Sequence, residues 1–173
     1  MTGVQTCALP ICDEGADVLD LGVVPDRVDA TVAAIRRARA GQADILLTTG
    51  GASVGDYDLV QQALAAEGLA LSFWKVALRP GRPMMNGKLG AMHVLGLPGN
   101  PVSSLVCFEL FVRPAIQKLR GLPPTGLRRS AAKLTCDHQQ RGDRPTYWPS
   151  ALDNEGVKPL SWKGSGDLRT LTE

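Results

Sequence analysis

A short apolar run, Ala43-Asp44-Ile45-Leu46-Leu47, passes directly into Thr48-Thr49-Gly50-Gly51-Ala52-Ser53-Val54-Gly55-Asp56-Tyr57-Asp58, and then into Leu59, Val60, Ala63 and Leu64 at helical spacing, stopped by Gly68. The run has the length and branching of a buried parallel strand. A strand that ends in glycines and opens into a helix leaves backbone N–H groups free to face an anion, because glycine permits tight turning and close approach. Phosphate is the natural guest. Asp56 and Asp58 complicate that reading, since two carboxylates at roughly 4 Å repel by about 4 kcal/mol at an effective dielectric near 20. A divalent cation shared with phosphate oxygens offsets the repulsion, and hard oxygen ligands favour magnesium. Alternatively, one of the two acids caps the helix at Leu59.

Upstream, Ala16-Asp17-Val18-Leu19-Asp20-Leu21-Gly22-Val23-Val24 reads as a strand, Pro25-Asp26-Arg27 as a loop, and Val28, Val32 and Ile35 as the apolar face of a helix ended by Gly41. Strand, helix and the Ile45 strand make a βαβ unit, which implies a right-handed crossover and a parallel sheet with covered faces. In such a sheet ligands gather at the carboxyl ends of strands, which places Asp26 on the rim shared with the glycine loop. Asp26 is either the N-cap of the Val28 helix or a third acidic ligand.

Downstream, Leu71, Phe73, Trp74 and Val76 mark a further strand, leading into Lys75-Val76-Ala77-Leu78-Arg79-Pro80-Gly81-Arg82-Pro83. Prolines on both sides of Gly-Arg make this a fixed loop that presents its cations at low entropic cost. Arginine forks suit tetrahedral oxyanions. Met84 to Leu97 reads as two strands joined at Gly87-Lys88-Leu89-Gly90, with His93 a structural residue. Then Pro98-Gly99-Asn100-Pro101-Val102-Ser103-Ser104 repeats the strand, tight turn and helix start, with Asn100 a good N-cap and Pro101 a good first residue. That helix runs through Val102, Leu105, Val106, Leu110, Val112 and Ile116 to Gly121. Leu122-Pro123-Pro124-Thr125-Gly126 is a linker by composition. The remainder is β-rich, with strand-like runs at Lys133-Leu134-Thr135-Cys136 and Thr146-Tyr147-Trp148-Pro149 and turns at Arg141-Gly142-Asp143 and Asp153-Asn154-Glu155-Gly156.

An apolar fraction of 44% and a net charge of +2 describe a globular chain rather than a polycationic binder. No run approaches the roughly 18 apolar residues of a membrane span, and no basic run is interleaved with aromatics for nucleic-acid stacking. The expectation is no membrane and no nucleic acid. Cys7 and Cys12 lack the spacing and downstream partners of a zinc site, Cys107 falls on a helix face, and a reduced cytoplasmic setting is expected. Residues 1–12 read as a foreign or artefactual leader and are set aside from the fold reading.

The string Thr48 to Asp58, the loop Trp74 to Pro83 and Gly96-Leu97-Pro98-Gly99-Asn100-Pro101-Val102-Ser103 together resemble the molybdopterin molybdenumtransferase family of the MoeA type, over roughly Asp13 to Glu173. The resemblance implies an α/β fold. It would comprise a three-layer, open, mostly parallel sheet at residues 13–126, lacking its first strand and helix, and a partial β domain at 127–173. It implies insertion of molybdenum from molybdate into adenylylated molybdopterin with release of AMP, assisted by Mg2+ or a similar ion, in a homodimer. The matching functional acids are Asp26 and Asp58, with Asp56 beside them as a metal ligand; Lys75 and Arg79 match the functional cations. Thr49, Gly50, Gly51, Ser53 and Gly55, with Arg82, Pro98, Gly99, Asn100, Pro101 and Ser103, are expected to hold the pterin phosphate. Relatives often carry lysine where Arg79 and Arg82 stand, which keeps the charge and changes the geometry. As written, the sequence resembles an internal fragment of such a protein. Two rivals share the domain: a molybdopterin adenylyltransferase, which should lack the trailing β-region and the Arg-Pro-Gly-Arg-Pro loop, and a non-catalytic scaffold.

Overall fold

The helix at Val28–Ala40, α1, buries Ala34, Ile35 and Ala38, the face its apolar spacing marks out. Its start differs from expectation: Arg27, not Asp26, occupies the N-cap, with no side-chain capping bond. Arg27 instead pairs its guanidinium with Asp29, and Thr31 Oγ1 donates to the Arg27 carbonyl at 3.0 Å. At the far end Gly41 has φ −77°, and the left-handed residue is Gln42 at φ 53°. A Cβ at Gly41 would lie 2.8 Å from the tip of the exposed Leu19 side chain, which can turn aside, so space alone does not demand glycine there.

This computed structural model describes residues 10–50, 59–123, 127, 129–140, 142–167 and 169–171. Four strands, β1 (Ile45–Thr49), β2 (Ala70–Trp74), β3 (Met85–Leu89) and β4 (Met92–Leu97), form one sheet in the order β1-β4-β3-β2. β1 and β4 pair in parallel, Ile45 opposite His93 through Thr49 opposite Leu97. β4 with β3 and β3 with β2 are antiparallel, so the described sheet is mixed. Only Gly90 and Ala91 connect β3 to β4, too short a link for a parallel crossover. The junction is thus narrower than Gly87 to Gly90. Gly87 lies within β3, where a Cβ would meet the Ala70 carbonyl at 2.8 Å.

Helices cover both faces. α1 and α2 (Leu59–Ala66) share one core with Leu46, Met85, Leu89, Met92 and Val94. Leu95 and Leu97, pointing the other way along β4, share a second with Met84, Cys107, Phe108, Val112 and Ile116. Burial of both faces is why β4 reads as an almost unbroken apolar run. The second cover is one helical stretch: α3 (Pro101–Cys107), a π-helical turn at Phe108–Val112, and α4 (Arg113–Leu119). Pro114 has no N–H to donate and its ring crowds the carbonyl four residues back, which a widened turn relieves. Across the first face, Glu67 joins α2 to α1 through Arg36 at 2.8 Å and Arg39 at 3.4 Å.

Two expectations at the amino end are corrected. Residues 16–24 pair with no strand among the described residues; Val18, Leu19 and Val23 are 43%, 54% and 78% exposed. The expected βαβ unit therefore lacks its first strand, because extended chain without a hydrogen-bonded neighbour does not become sheet. Conversely, residues 10–13, partly inside the stretch set aside as a leader, form a helical turn, and Ile11 packs against the second core. Glu14 then bridges to Arg113 at 2.8 Å and accepts from Gln117 at 3.0 Å.

Towards the carboxyl end, β5 (Ser150–Leu152) and β6 (Val157–Pro159) form a hairpin. Its turn is closed by Asp153 Oδ1, which accepts from the Glu155 and Gly156 N–H groups at 2.9 and 3.1 Å. The two runs expected as strands contribute single bridging residues instead, Leu134 to Val157 and Thr146 to Arg79.

Candidate functional site

The loop from Trp74 to Pro83 is fixed at three levels. At its base, Lys75 N donates to Met84 O at 2.8 Å and Val76 N to Arg82 O at 3.0 Å. Lys75 itself has φ 77°, uncommon for a residue with a side chain, and its ammonium stands 4.8 Å over the Trp74 ring. At its tip, Gly81 has φ 117° and rests on the buried Cys107, whose thiol donates to the Gly81 carbonyl at 3.7 Å. Burial pushes that thiol up to about 12, so it stays protonated at neutral pH. The Arg79–Pro80 peptide is cis. Arg79 is also held from outside the loop: its N–H donates to Pro145 O at 3.0 Å, and its carbonyl accepts from Tyr147 N at 2.8 Å.

The turns that follow β1 and β4 meet at their glycines. Gly50 has φ 85° and donates to Leu97 O at 3.0 Å, while a Cβ on Gly99 would stand 3.5 Å from Gly50 Cα. The β4 turn is tied down by Ser104 Oγ, which donates to Pro98 O. Asn100 occupies the N-cap position of α3 with Pro101 behind it, as expected. Its side chain makes no capping bond; its amide Nδ2 donates to Ser165 Oγ at 2.8 Å.

Between these turns lies a cleft of about 570 Å³. The first loop supplies Leu78 through Pro83, the strand ends supply Gly50, Pro98, Gly99, Asn100 and Ser103, and the carboxyl-terminal region supplies Arg144, Trp162, Gly164 and Ser165. Of the residues singled out from sequence, Gly50, Arg79, Arg82, Pro98, Gly99, Asn100 and Ser103 therefore come together. Thr49 and Pro101 adjoin lining residues without lining the cleft. Lys75 stays at the base of its loop against Trp74, and Asp26 is exposed ahead of α1. Gly51, Ser53, Gly55, Asp56 and Asp58 lie outside the described residues.

The described lining has three guanidinium groups and no carboxylate, and none of Arg79, Arg82 and Arg144 pairs with an acid among the described residues. Nor, among the described residues, do three His, Cys, Asp or Glu groups gather to hold a metal. Like charges brought to one cleft repel, and an anion reverses that cost, the more so with bidentate donors in a partly desolvated site. Asn100, Ser103 and Ser165 add neutral polar groups. Arg144, Trp162 and Ser165 were not anticipated. The available signal was Lys163-Gly164-Ser165-Gly166, a second glycine-flanked serine, but nothing local fixes which loop it faces. Asp167 shapes that turn by accepting from Lys163 N at 3.2 Å and Thr170 Oγ1 at 2.8 Å. These bonds, Thr170 first, hold its carboxyl below the usual range.

The family described as "Probable molybdopterin binding domain" matches residues 10–118. The chain belongs to the molybdopterin-binding domain family. Curated relatives carry the name molybdopterin molybdenumtransferase. One from Haemophilus influenzae is 45% identical over 105 residues, 61% of this chain and 26% of the relative. One from Nostoc is 44% identical over 172 residues, 92% of this chain and 38% of the relative. The chain thus spans about a quarter to two fifths of these relatives' length. A molybdenum cofactor biosynthesis protein from Pyrococcus furiosus superposes with a TM-score of 0.77 at 23% identity, covering 99% of this chain and 55% of its own. A molybdopterin biosynthesis MoeA protein from Pyrococcus horikosii gives 0.71 at 28%, covering 98% and 41%. The α/β fold of the molybdopterin-binding domain is shared. No helix among the described residues is long and apolar enough to cross a membrane.

Proposed function

We propose that the cleft binds molybdate beside the phosphate of adenylylated molybdopterin, and that the protein inserts molybdenum into the pterin with release of AMP, as a cytoplasmic homodimer. One observation carries this reading: Arg79, Arg82 and Arg144 meet in one cleft with Asn100, Ser103 and Ser165 and no described carboxylate. The guanidinium forks hold a tetrahedral oxyanion and stabilise negative charge that develops as the phosphoanhydride opens. Backbone N–H groups at the glycine turns after β1 and β4 orient the pterin phosphate, and Lys75 contributes long-range attraction from the loop base. Asp56 and Asp58 follow Gly50 in sequence and would hold Mg2+, which neutralises phosphate oxygens when bound; Asp26 is the more distant acidic candidate.

The adenylyltransferase reading is less well supported, because Arg144, Trp162 and Ser165 come from the trailing β-rich region that such an enzyme is expected to lack. The test is calorimetric titration of the chain with molybdate, with AMP release from adenylylated molybdopterin measured in parallel. Arg144→Ala should weaken molybdate binding by about 10- to 150-fold, the worth of a charge-assisted hydrogen bond. Absence of saturable molybdate binding to the unsubstituted chain overturns the proposal.

A further inference from the structure

Trp162 contributes an aromatic ring to a cleft otherwise furnished for an anion. We infer that this ring is the stacking platform for the planar heteroaromatic part of the ligand whose phosphate or oxyanion the arginines hold; the inference rests on the proposed pterin-nucleotide reading of the cleft. Size comes first. A volume of about 570 Å³ falls in the range of about 300–1,000 Å³ that suits ring-bearing small molecules, more than a bare oxyanion needs. Leu78, Pro80, Pro83 and Pro98 give the cleft an apolar wall with no use for molybdate alone.

The setting of Trp162 also leaves a face to offer. Trp148 meets it nearly perpendicularly, at 81° with ring centroids 5.3 Å apart, and His138 meets Trp148 at 70° and 4.7 Å. Whichever of the two indoles supplies the edge in that contact, the other face of Trp162 is not taken up by it. Trp148 is further locked by its indole N–H, which donates to Leu160 O at 3.0 Å. The Trp162 N–H is buried and has no acceptor among the described residues, so hydrogen bonding does not account for an indole at this position. The remaining use for an indole lining this cleft is its ring surface. Only Lys163 and Gly164 separate it from Ser165, so one short segment delivers both an aromatic surface and a hydroxyl to the same ligand.

The ring on the ligand is either adenine or pterin, and titration calorimetry on the whole chain separates them. Three probes are used: AMP, neopterin monophosphate and molybdate, with the unsubstituted chain, Trp162→Ala and Trp162→Phe. Stacking predicts that Trp162→Ala weakens binding of AMP, neopterin monophosphate or both by about 5- to 150-fold, that Trp162→Phe restores most of it, and that molybdate affinity moves by less than about twofold. Loss confined to AMP assigns the platform to adenine, and loss confined to neopterin monophosphate to the pterin. An equal loss for molybdate would mean that Trp162 acts through the shape of the cleft and overturns the inference. So would unchanged binding of both ring-bearing probes, or failure of both to bind the unsubstituted chain. Ring-bearing probes that bind and depend on Trp162 while molybdate does not bind would leave the platform standing and remove the molybdate reading alone.

Discussion

Gly81 stands where a side chain is excluded twice over, which makes Gly81→Ala a quantitative probe of the arginine loop. At φ 117° an L-residue is strained, at a cost of about 1–3 kcal/mol for a sparsely populated backbone region. A Cβ would also sit 2.7 Å from Cys107 Sγ and 3.4 Å from the Leu78 side chain. Cys107 is fully buried on the opposite helix and cannot withdraw without disturbing Phe108 and Met84 in the same core, so overpacking adds about 1–3 kcal/mol. The expected total is about 2–6 kcal/mol, a large part of a typical domain's stability of about 5–15 kcal/mol. Urea unfolding followed by far-ultraviolet circular dichroism measures it: at a slope of about 2 kcal/mol/M the midpoint should fall by about 1–3 M with the slope unchanged. Adding Cys107→Ala separates the two causes. It removes the sulfur in the way and should recover about 1–3 kcal/mol relative to the sum of the single substitutions, leaving the backbone share unrelieved. A Gly81→Ala protein within about 0.5 kcal/mol of the original, or a double variant showing no coupling, would refute the account of how this loop is seated.

Glu14→Gln weakens the contact with the one-third-exposed Arg113 and should cost about 1–2 kcal/mol in the same urea assay, less than a fully buried pair because solvent screens part of it. Asp167 has its carboxyl held down by Thr170 and the Lys163 N–H, so its contribution is present above the ordinary carboxylate range and lost as pH falls through the lowered native value. Thr170→Val should therefore raise the Asp167 midpoint towards the ordinary value, read by carbon-detected NMR titration of its carboxyl. Cys107, buried and protonated, should resist iodoacetamide at pH 8 in the native protein while the exposed Cys12 and Cys136 react; peptide mapping after urea unfolding should show Cys107 modified as well.

What could be read from the chain was whatever is written locally. The Val28, Ala63 and Val102 helices, the strands at Ile45, Ala70, Met85 and Met92, and the turns at Gly50 and Asn100 all follow from spacing and from turn residues. Segments whose form depends on a distant partner were misread. Val18 to Val24 alternates like a strand yet has no described strand to pair with, and a single bridge is all that the runs around Leu134 and Thr146 achieve. Asn100 shows the limit most sharply. Its sequence position identifies an N-cap, but the bond its side chain makes is to Ser165, a residue 65 positions away.

The same dependence explains why the carboxyl-terminal side of the cleft was invisible. Arg144 carries no motif; it lies in a stretch that reads as a turn. Its place is fixed by its neighbours, since Pro145 accepts from the Arg79 N–H and Tyr147 donates back to the Arg79 carbonyl. Backbone pairing at one residue thus docks the carboxyl-terminal region and brings a guanidinium from each side to the cleft in a single step. Those bonds are between main-chain atoms, so their existence is independent of the Arg79 and Arg144 side chains. Arginine at these two positions adds repulsion to a contact that would form without it, a cost that an anion in the space between would offset.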